Sequence, residues 1–342
     1  MKLIRKLLFP FAILYGLILW VRNGLFNIDL FKVSRFPIST IGIGNLSLGG
    51  TGKSIVVDYL LSKYHSMKSI AVLSRGYGRK SKGFLLANSK SSANMIGDEP
   101  YQFLKKFPGI KVVVDEDRVS ATNKILKTNP QINLVIYDDI MQHRSLKTDH
   151  LILTTTYSNP FFNDFPLPYG SLREFSSGNK RSNTIIVTKC PCNLSGDMRR
   201  NFEANCNLSS DQKIFYTRIK YSKSILNFSN NKMRIKDLLK QEILLVTGIA
   251  NSDPLVDFLN SEKVLFKHLK YRDHFNFTKK SIIKIKKEAN DSIILTTEKD
   301  FGKLSPLLKS SRLYYIPISL SFFNKKEEYE LNERIKFFIK NH

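Results

Sequence analysis

The sequence predicts an α/β protein: two blocks of parallel sheet and helix behind an apolar N-terminal segment. Three observations predict it. From Ser34 onward, short β-rich runs alternate with helical stretches, the pattern of strand–helix–strand units. A glycine-rich turn, Gly44-Asn-Leu-Ser-Leu-Gly-Gly-Thr-Gly-Lys-Ser54, links a strand to a helix near the start of that alternation. A polar stretch then separates it from a second alternating run. The expected organisation is a membrane-associated segment at 1–30, a phosphate-binding domain at 31–220, a linker at 221–240 and a C-terminal α/β domain at 241–342.

A chain of 342 residues suits two domains at about 150 residues each. A hydrophobic content of 42% supports real cores and excludes wholesale disorder. Fifty-four basic residues against 29 acidic ones leave a net charge of +25. That excess favours an anionic partner: nucleic acid, an anionic membrane or a phosphorylated substrate. No module interleaves base-stacking aromatics with basic residues, so nucleic acid is not expected. Cys190, Cys192 and Cys206 make no disulfide framework and lack a fourth ligand for structural zinc, so they read as reduced thiols of a cytosolic protein.

Leu7 to Val21 is uncharged, with Lys2, Arg5 and Lys6 before it and Arg22 after. Its 15 residues fall short of the roughly 20 that span a bilayer, and no small-x-small cleavage site follows. A segment lying in the cytoplasmic leaflet fits, with the basic residues on headgroups and Trp20 at the interface. A buried core helix is the alternative.

Ile38 to Ile43 leads into the glycine-rich turn, and Ser54 to Ser62 carries a helical pattern after it. Glycines let successive N–H groups point at anionic oxygens, and the helix N-terminus adds its dipole. Ser47, Leu48, Gly49, Gly50, Thr51, Gly52, Lys53 and Ser54 are therefore the expected nucleotide-binding residues, with Lys53 on the β- and γ-phosphates and the Ser54 hydroxyl on Mg²⁺. Ser47 stands where the strict pattern has glycine. Further strands are expected at Ser69–Ser74, Lys111–Val114 and Leu134–Tyr137, the last closing on Asp138 and Asp139. Acidic residues at a strand's C-terminal end opposite a phosphate loop hold Mg²⁺, although a lone Asp-Asp there also serves as a helix cap. Strands at Leu151–Thr154, Thr184–Thr188 and Lys213–Tyr216 follow, with a long Pro/Gly-rich loop from Asn159 to Arg181 in which Arg173 suits a phosphate. The second block runs from Glu242, through Tyr271 to Phe277, Ser292 to Asp300 and Leu313 to Ile318, to a closing helix at 325–340.

Set in order, GNLSLGGTGKS, SRGYGRK, GDEP, YDDIMQHR, PLPYGSLRE, TGIAN, RDHFNF and TTEKD resemble the tetraacyldisaccharide 4′-kinase family, which phosphorylates the 4′ position of a lipid A precursor. The resemblance runs from the apolar N-terminus to near residue 300. It implies a P-loop NTPase-like α/β/α domain with a second, smaller α/β/α domain, the cleft between them, and a protein on the cytoplasmic face of the inner membrane. It implies ATP and Mg²⁺, an anionic glycolipid substrate, Asp98 as base for the acceptor hydroxyl and His274 as its support. Ser54 with Asp138 or Asp139 would hold the ion. Tyr77, Glu99, Arg118, Gln142, His143 and Arg173 are implied as lining residues. Three departures from the family pattern stand out: Ser54 replaces threonine, Ile140-Met141 replace Gly-Phe, and Phe275 replaces the second histidine of a pair. From the residues alone, a P-loop NTPase or a nucleotide-binding adaptor peripheral to the membrane stays open.

Overall fold

The computed structural model of the chain describes residues 8–229 and 231–340. A helix, α1 (Phe9–Asn27), precedes the first strand, β1 (Ser39–Gly44). The chain then runs α2 (Lys53–Tyr64), β2 (Ile70–Ser74), β3 (Leu85–Leu86), α3 (Ala93–Ile96), α4 (Asp98–Lys106), β4 (Lys111–Val114), α5 (Arg118–Thr128), β5 (Leu134–Asp138) and β6 (His150–Thr156). After the loop that follows come β7 (Thr184–Thr188), α6 (Gly196–Cys206), β8 (Lys213–Tyr221), β9 (Ser224–Asn227), β10 (Lys232–Arg234), β11 (Ile243–Thr247), α7 (Asp253–Ser261), β12 (Lys267–Lys270) and α8 (Lys279–Ala289). β13 (Ile293–Thr297), α9 (Glu298–Leu308), β14 (Leu313–Ile316), β15 (Ile318–Phe322) and α10 (Lys325–Lys340) complete it.

A nine-stranded sheet has the order β15-β8-β7-β6-β1-β5-β2-β4-β3, parallel except at its two edges. Its central strands read as continuous apolar or small-residue runs because both faces are covered, and β1, β2, β5 and β7 are buried at every position. Val56 and Leu60 of α2, Phe103 of α4 and Leu331 and Ile335 of α10 join one core cluster. Ala121 and Ile125 of α5 join a second cluster with Leu73 and Tyr137, and Phe202 of α6 joins a third with Leu153 and Val187. The six-stranded sheet, β10-β9-β14-β13-β11-β12, is layered the same way. Leu255 and Leu259 of α7 lie in one of its clusters, Ile285 of α8 and Leu304 of α9 in the other.

The connections differ from the sequence reading in three ways. The stretch expected as a linker is built into the second sheet: β9 pairs with β14 and β10 with β9. The last residues leave the second sheet: β15 pairs with β8, and α10 packs on the first core. Alternating Ile318, Leu320 and Phe322 read as a continuation of β14, and only the antiparallel partner β8 shows where they go. Finally, the helical N-terminal segment extends 19 residues, past Arg22 to Asn27, and is long and apolar enough to cross a membrane. Lys2, Arg5 and Lys6 lie outside the described residues.

Candidate active site

β1 ends at the glycine-rich turn, where Gly49 (φ 100°) and Gly52 (φ 87°) hold left-handed backbone. At Gly52 a side chain would also collide with Thr188, 2.9 Å from its Cγ2, so the turn requires glycine twice over. α2 begins at Lys53, which aims the first N–H groups of a 12-residue helix at the turn. The Lys53 ammonium sits 3.5 Å from Asp139 Oδ1, and its side chain is only 15% exposed. β5 runs beside β1 with Asp138 paired to Ile43, which brings the two acidic residues level with the turn.

Asp138 and Asp139 differ in kind. Asp138 is buried, accepts a hydrogen bond from Ser74 Oγ at 3.1 Å on Oδ2, and leaves Oδ1 without a partner. Burial and the neighbouring Asp139 push its carboxyl up to about 6. Asp139 also pays for burial, but Lys53 and Arg173 outweigh it and hold its carboxyl below the usual range. Arg173 Nη1 donates to Asp139 Oδ1 and Oδ2 at 2.8 and 2.9 Å, and to Gln142 Oε1 at 3.1 Å. It reaches there because the long loop lies back across the glycine-rich turn: Leu48 N–H donates to Ser171 and Arg173 N–H to Leu46, both at 2.7 Å. That backbone pairing explains how a long Pro/Gly-rich loop is ordered.

Glu174, next along, ties the site to α1. It is 4% exposed and accepts two bonds from Arg181 at 2.8 Å, one from Asn23 at 2.8 Å and one from Gln142 at 3.2 Å. Arg22 donates to the Gln142 carbonyl at 3.0 Å and the Tyr15 hydroxyl to the Arg173 carbonyl at 3.1 Å. Gly16 allows this approach, since a Cβ there would fall 2.5 Å from the Phe175 ring. Away from that seam, Phe11, Leu14, Ile18 and Trp20 are exposed.

Asp98 opens α4 directly after Gly97 (φ 95°), whose own Cβ would press on Gly76 at 3.0 Å. The SRGYGRK turn thus runs from Ser74 beside Asp138 to Tyr77, whose ring meets His274 edge-on at 5.6 Å. Asp98 Oδ2 accepts from His274 Nδ1 and from Lys303 Nζ, each at 2.9 Å. Burial works against the Asp98 charge, but His274 and Lys303 hold the carboxyl below its usual range. The same bond to Asp98, opposed by burial, raises the His274 imidazole. Glu99 meets Lys299 at 2.5 Å and is close enough to add to the upward push on Asp138.

The expected site residues therefore fall into two connected groups. Lys53, Asp138, Asp139, Gln142 and Arg173 surround the turn, and Asp98, Glu99, Tyr77 and His274 gather where the two sheets meet. Arg118 is not an open lining residue: it is buried, donates to the carbonyls of Asp115 and Glu116, and presents its charge toward the two aspartates. His143 has a buried Nε2 without a partner, and burial with Arg118 lowers its pKa. Phe275 packs against Tyr271 and Phe277 inside the second lobe, so His274 alone faces Asp98. Ile140 and Met141 are buried in cores where the Cβ of Gly42 and Gly44 would strike them. Glu174, Lys299 and Lys303 were not anticipated, because their partners lie 7 to 205 positions away.

A divalent cation fits this donor set. The buried, unpartnered Asp138 oxygen beside a second carboxylate is a hard-cation donor. Among the described residues no cluster of three or more His, Cys, Asp or Glu forms a closed metal cage. Ser54 and phosphate oxygens would complete the coordination, as Mg²⁺ prefers.

A model of the family described as tetraacyldisaccharide-1-P 4′-kinase matches residues 4–336. The chain is 43% identical over 332 residues to the tetraacyldisaccharide 4′-kinase of Flavobacterium psychrophilum, covering 96% of both proteins. It is 40% identical to that of Flavobacterium johnsoniae, covering 97% of both. A crystal structure of "apo" form LpxK from Aquifex aeolicus in complex with ATP has a TM-score of 0.78 and 28% identity, covering 97% of this chain and 99% of that one.

Proposed function

The chain belongs to the tetraacyldisaccharide-1-P 4′-kinase family, and from that premise we propose how its own residues do the work. It is an ATP-dependent kinase that transfers the γ-phosphate to the 4′-hydroxyl of a tetraacyldisaccharide 1-phosphate in lipid A synthesis. Phosphoryl transfer asks little covalent chemistry of a protein, so positioning and charge neutralisation carry the catalysis. Lys53 and the N–H groups of residues 47–54 hold the phosphates. Ser54 and Asp138 would hold Mg²⁺, which would supply charge neutralisation for the transferred phosphate. Asp139, fixed between Lys53 and Arg173, sets the direction of the Lys53 ammonium.

Asp98 takes the proton of the acceptor hydroxyl. His274 and Lys303 keep it ionised and pointed, because both hydrogen bonds favour the charged carboxylate. The observation that carries the reading is the pairing of Asp98 on one sheet's helix with His274 and Lys303 of the other lobe. The functional division is then two lobes, one per sheet, with residues 318–340 counted with the first. Gathering the base and its partners from both lobes excludes water that would compete for the phosphoryl group.

The exposed face of α1 lies in the cytoplasmic leaflet of the inner membrane, beside the glycolipid. An in-plane anchor is favoured because Tyr15, Arg22 and Asn23, spread over its length, are bonded to the catalytic lobe. The test is transfer of radiolabelled γ-phosphate to an acylated disaccharide 1-phosphate against transfer to water. Label reaching only water, with the lipid present in vesicles, refutes the kinase assignment.

A further inference from the structure

We propose that Glu298 is a positioning residue for phosphoryl transfer: through Lys106 it seats α9 so that Lys303 reaches Asp98. This rests on the kinase reading above and adds what holds the second lobe against the base. α4 and α9 pack on each other where the lobes meet, and their ion pairs run in opposite chain order. Lys303 meets Asp98 at the start of α4, and Glu298 meets Lys106 at its end. From Asp98 to Lys106 the helix rises about 12 Å, so Glu298 stays clear of the reacting atoms. Between the two pairs Gly302 allows the close approach, since a Cβ there would fall 3.1 Å from the Tyr101 ring. A slip of α9 by one turn, about 5.4 Å, toward the far end of α4 would set Lys303 toward Lys106 and leave Asp98 without it.

The ammonium that holds Glu298 ties three helices together. Lys106 Nζ donates to Asp58 Oδ2 of α2 at 3.1 Å and lies 3.2 Å from Glu298 Oε1 of α9. Asp58 is on the helix that opens with Lys53, so the phosphate loop, the base helix and the second lobe share one cation. The Asp58 and Glu298 side chains are only 10% and 9% exposed. Burial pushes both carboxyls up against the pull of Lys106. Burial also works against the Lys106 charge, but Glu298 and Asp58 together outweigh it. Parting such a group would leave buried charges without partners, so it holds the two lobes in one arrangement. The motif at 296–300 is thereby accounted for. Thr297 caps α9, Glu298 takes Lys106, Lys299 takes Glu99, and Asp300 accepts from the Gly248 N–H at 2.8 Å.

The test is the pH dependence of kcat for γ-phosphate transfer to an acylated disaccharide 1-phosphate in vesicles, with the full chain. Glu298→Ala removes a negative charge, so through its field alone it would move the acid limb to lower pH. Acting through the seat of Lys303, it should move the limb to higher pH and lower kcat about tenfold, with ATP binding unchanged. In a Lys303→Met background, Glu298→Ala should raise the limb no further. Lys106→Met cuts the same connection from the other end, and its loss in kcat should also vanish in that background. Lys106→Arg should keep most of the activity. A limb that stays or falls, or a full extra loss beside Lys303→Met, overturns the proposal. If Glu298→Ala does not fold, Lys106→Met with and without Lys303→Met decides by itself. A wild type that labels no lipid fails the kinase reading first, with every variant equally silent.

Discussion

His274 Nδ1 lies 2.9 Å from Asp98 Oδ2, joining residues 176 positions apart in different lobes. No local interaction could hold them so. The contact is a report that one lobe rests on the other, and it is supported by Lys299 on Glu99 and by Lys106 bridging Asp58 and Glu298.

Asp98→Ala and His274→Ala should each cut turnover strongly and change ATP binding little. The double variant should cost clearly less than the product of the two single losses, because residues acting as a unit are non-additive. Turnover of the two singles and the double decides it. Fully multiplicative losses would mean that His274 works apart from Asp98.

Lys303 shares the same Asp98 oxygen and should matter to the base in a measurable way. Lys303→Met removes a charge that holds the carboxyl down, so the acid limb of the kcat profile should move to higher pH. Lys303→Arg should move it back. A profile that keeps its shape while the rate falls would leave Lys303 a packing role only.

The lobe contact should weaken as the medium becomes alkaline. His274 is raised above 6.5, so its contribution is complete below that value and is lost as pH rises through the raised pKa. Asp98 is held below 3.8, so its contribution is present above that value and is lost as pH falls through the lowered pKa. Urea unfolding midpoints of wild type and His274→Gln should therefore differ most near pH 5 to 6 and converge toward pH 9. A constant difference across that range contradicts the assignment.

Lys53→Ala should lower phosphoryl transfer on the order of 100-fold or more. The Lys53 ammonium is mostly buried and paired with Asp139. Arg173 still holds Asp139 when Lys53 is gone, so the variant should remain folded. A folded variant with near-native turnover would remove the phosphate loop from the mechanism.

Leu14→Glu with Ile18→Glu should release the protein from anionic vesicles while ATP binding is retained, since both side chains point away from the catalytic lobe. Cosedimentation measures it. Undiminished pelleting would show that α1 is not the anchor.

What the sequence disclosed and what it withheld have a common physical cause. The phosphate loop and the Asp-Asp at the end of β5 are local patterns, written in glycine spacing and in an apolar run that ends in charge. Arg173 was legible as a phosphate-type residue, but its neutralisation of Asp139 depends on a loop pairing with Leu46 and Leu48 about 120 positions earlier. Lys303 sits in an ordinary amphipathic helix, and nothing nearby distinguishes it from Lys309. β9 and β10 are only four and three residues long, too short to carry a strand pattern of their own, and β10 is the edge of the second sheet.

The route of the chain through the two sheets governs how the protein must be made. Ser39 Oγ at the root of β1 donates to the Ile339 carbonyl at 3.0 Å, a closure of 300 positions. The nucleotide-binding lobe therefore stays short of an edge strand and a covering helix until synthesis is almost complete, while the second lobe has every one of its strands by Ile316. During translation the inserted lobe can mature first, and the enclosing lobe waits with Val56 and Leu60 uncovered by Leu331 and Ile335. A premature stop near residue 320 would thus spare the lobe nearest the break and cripple the one where translation began.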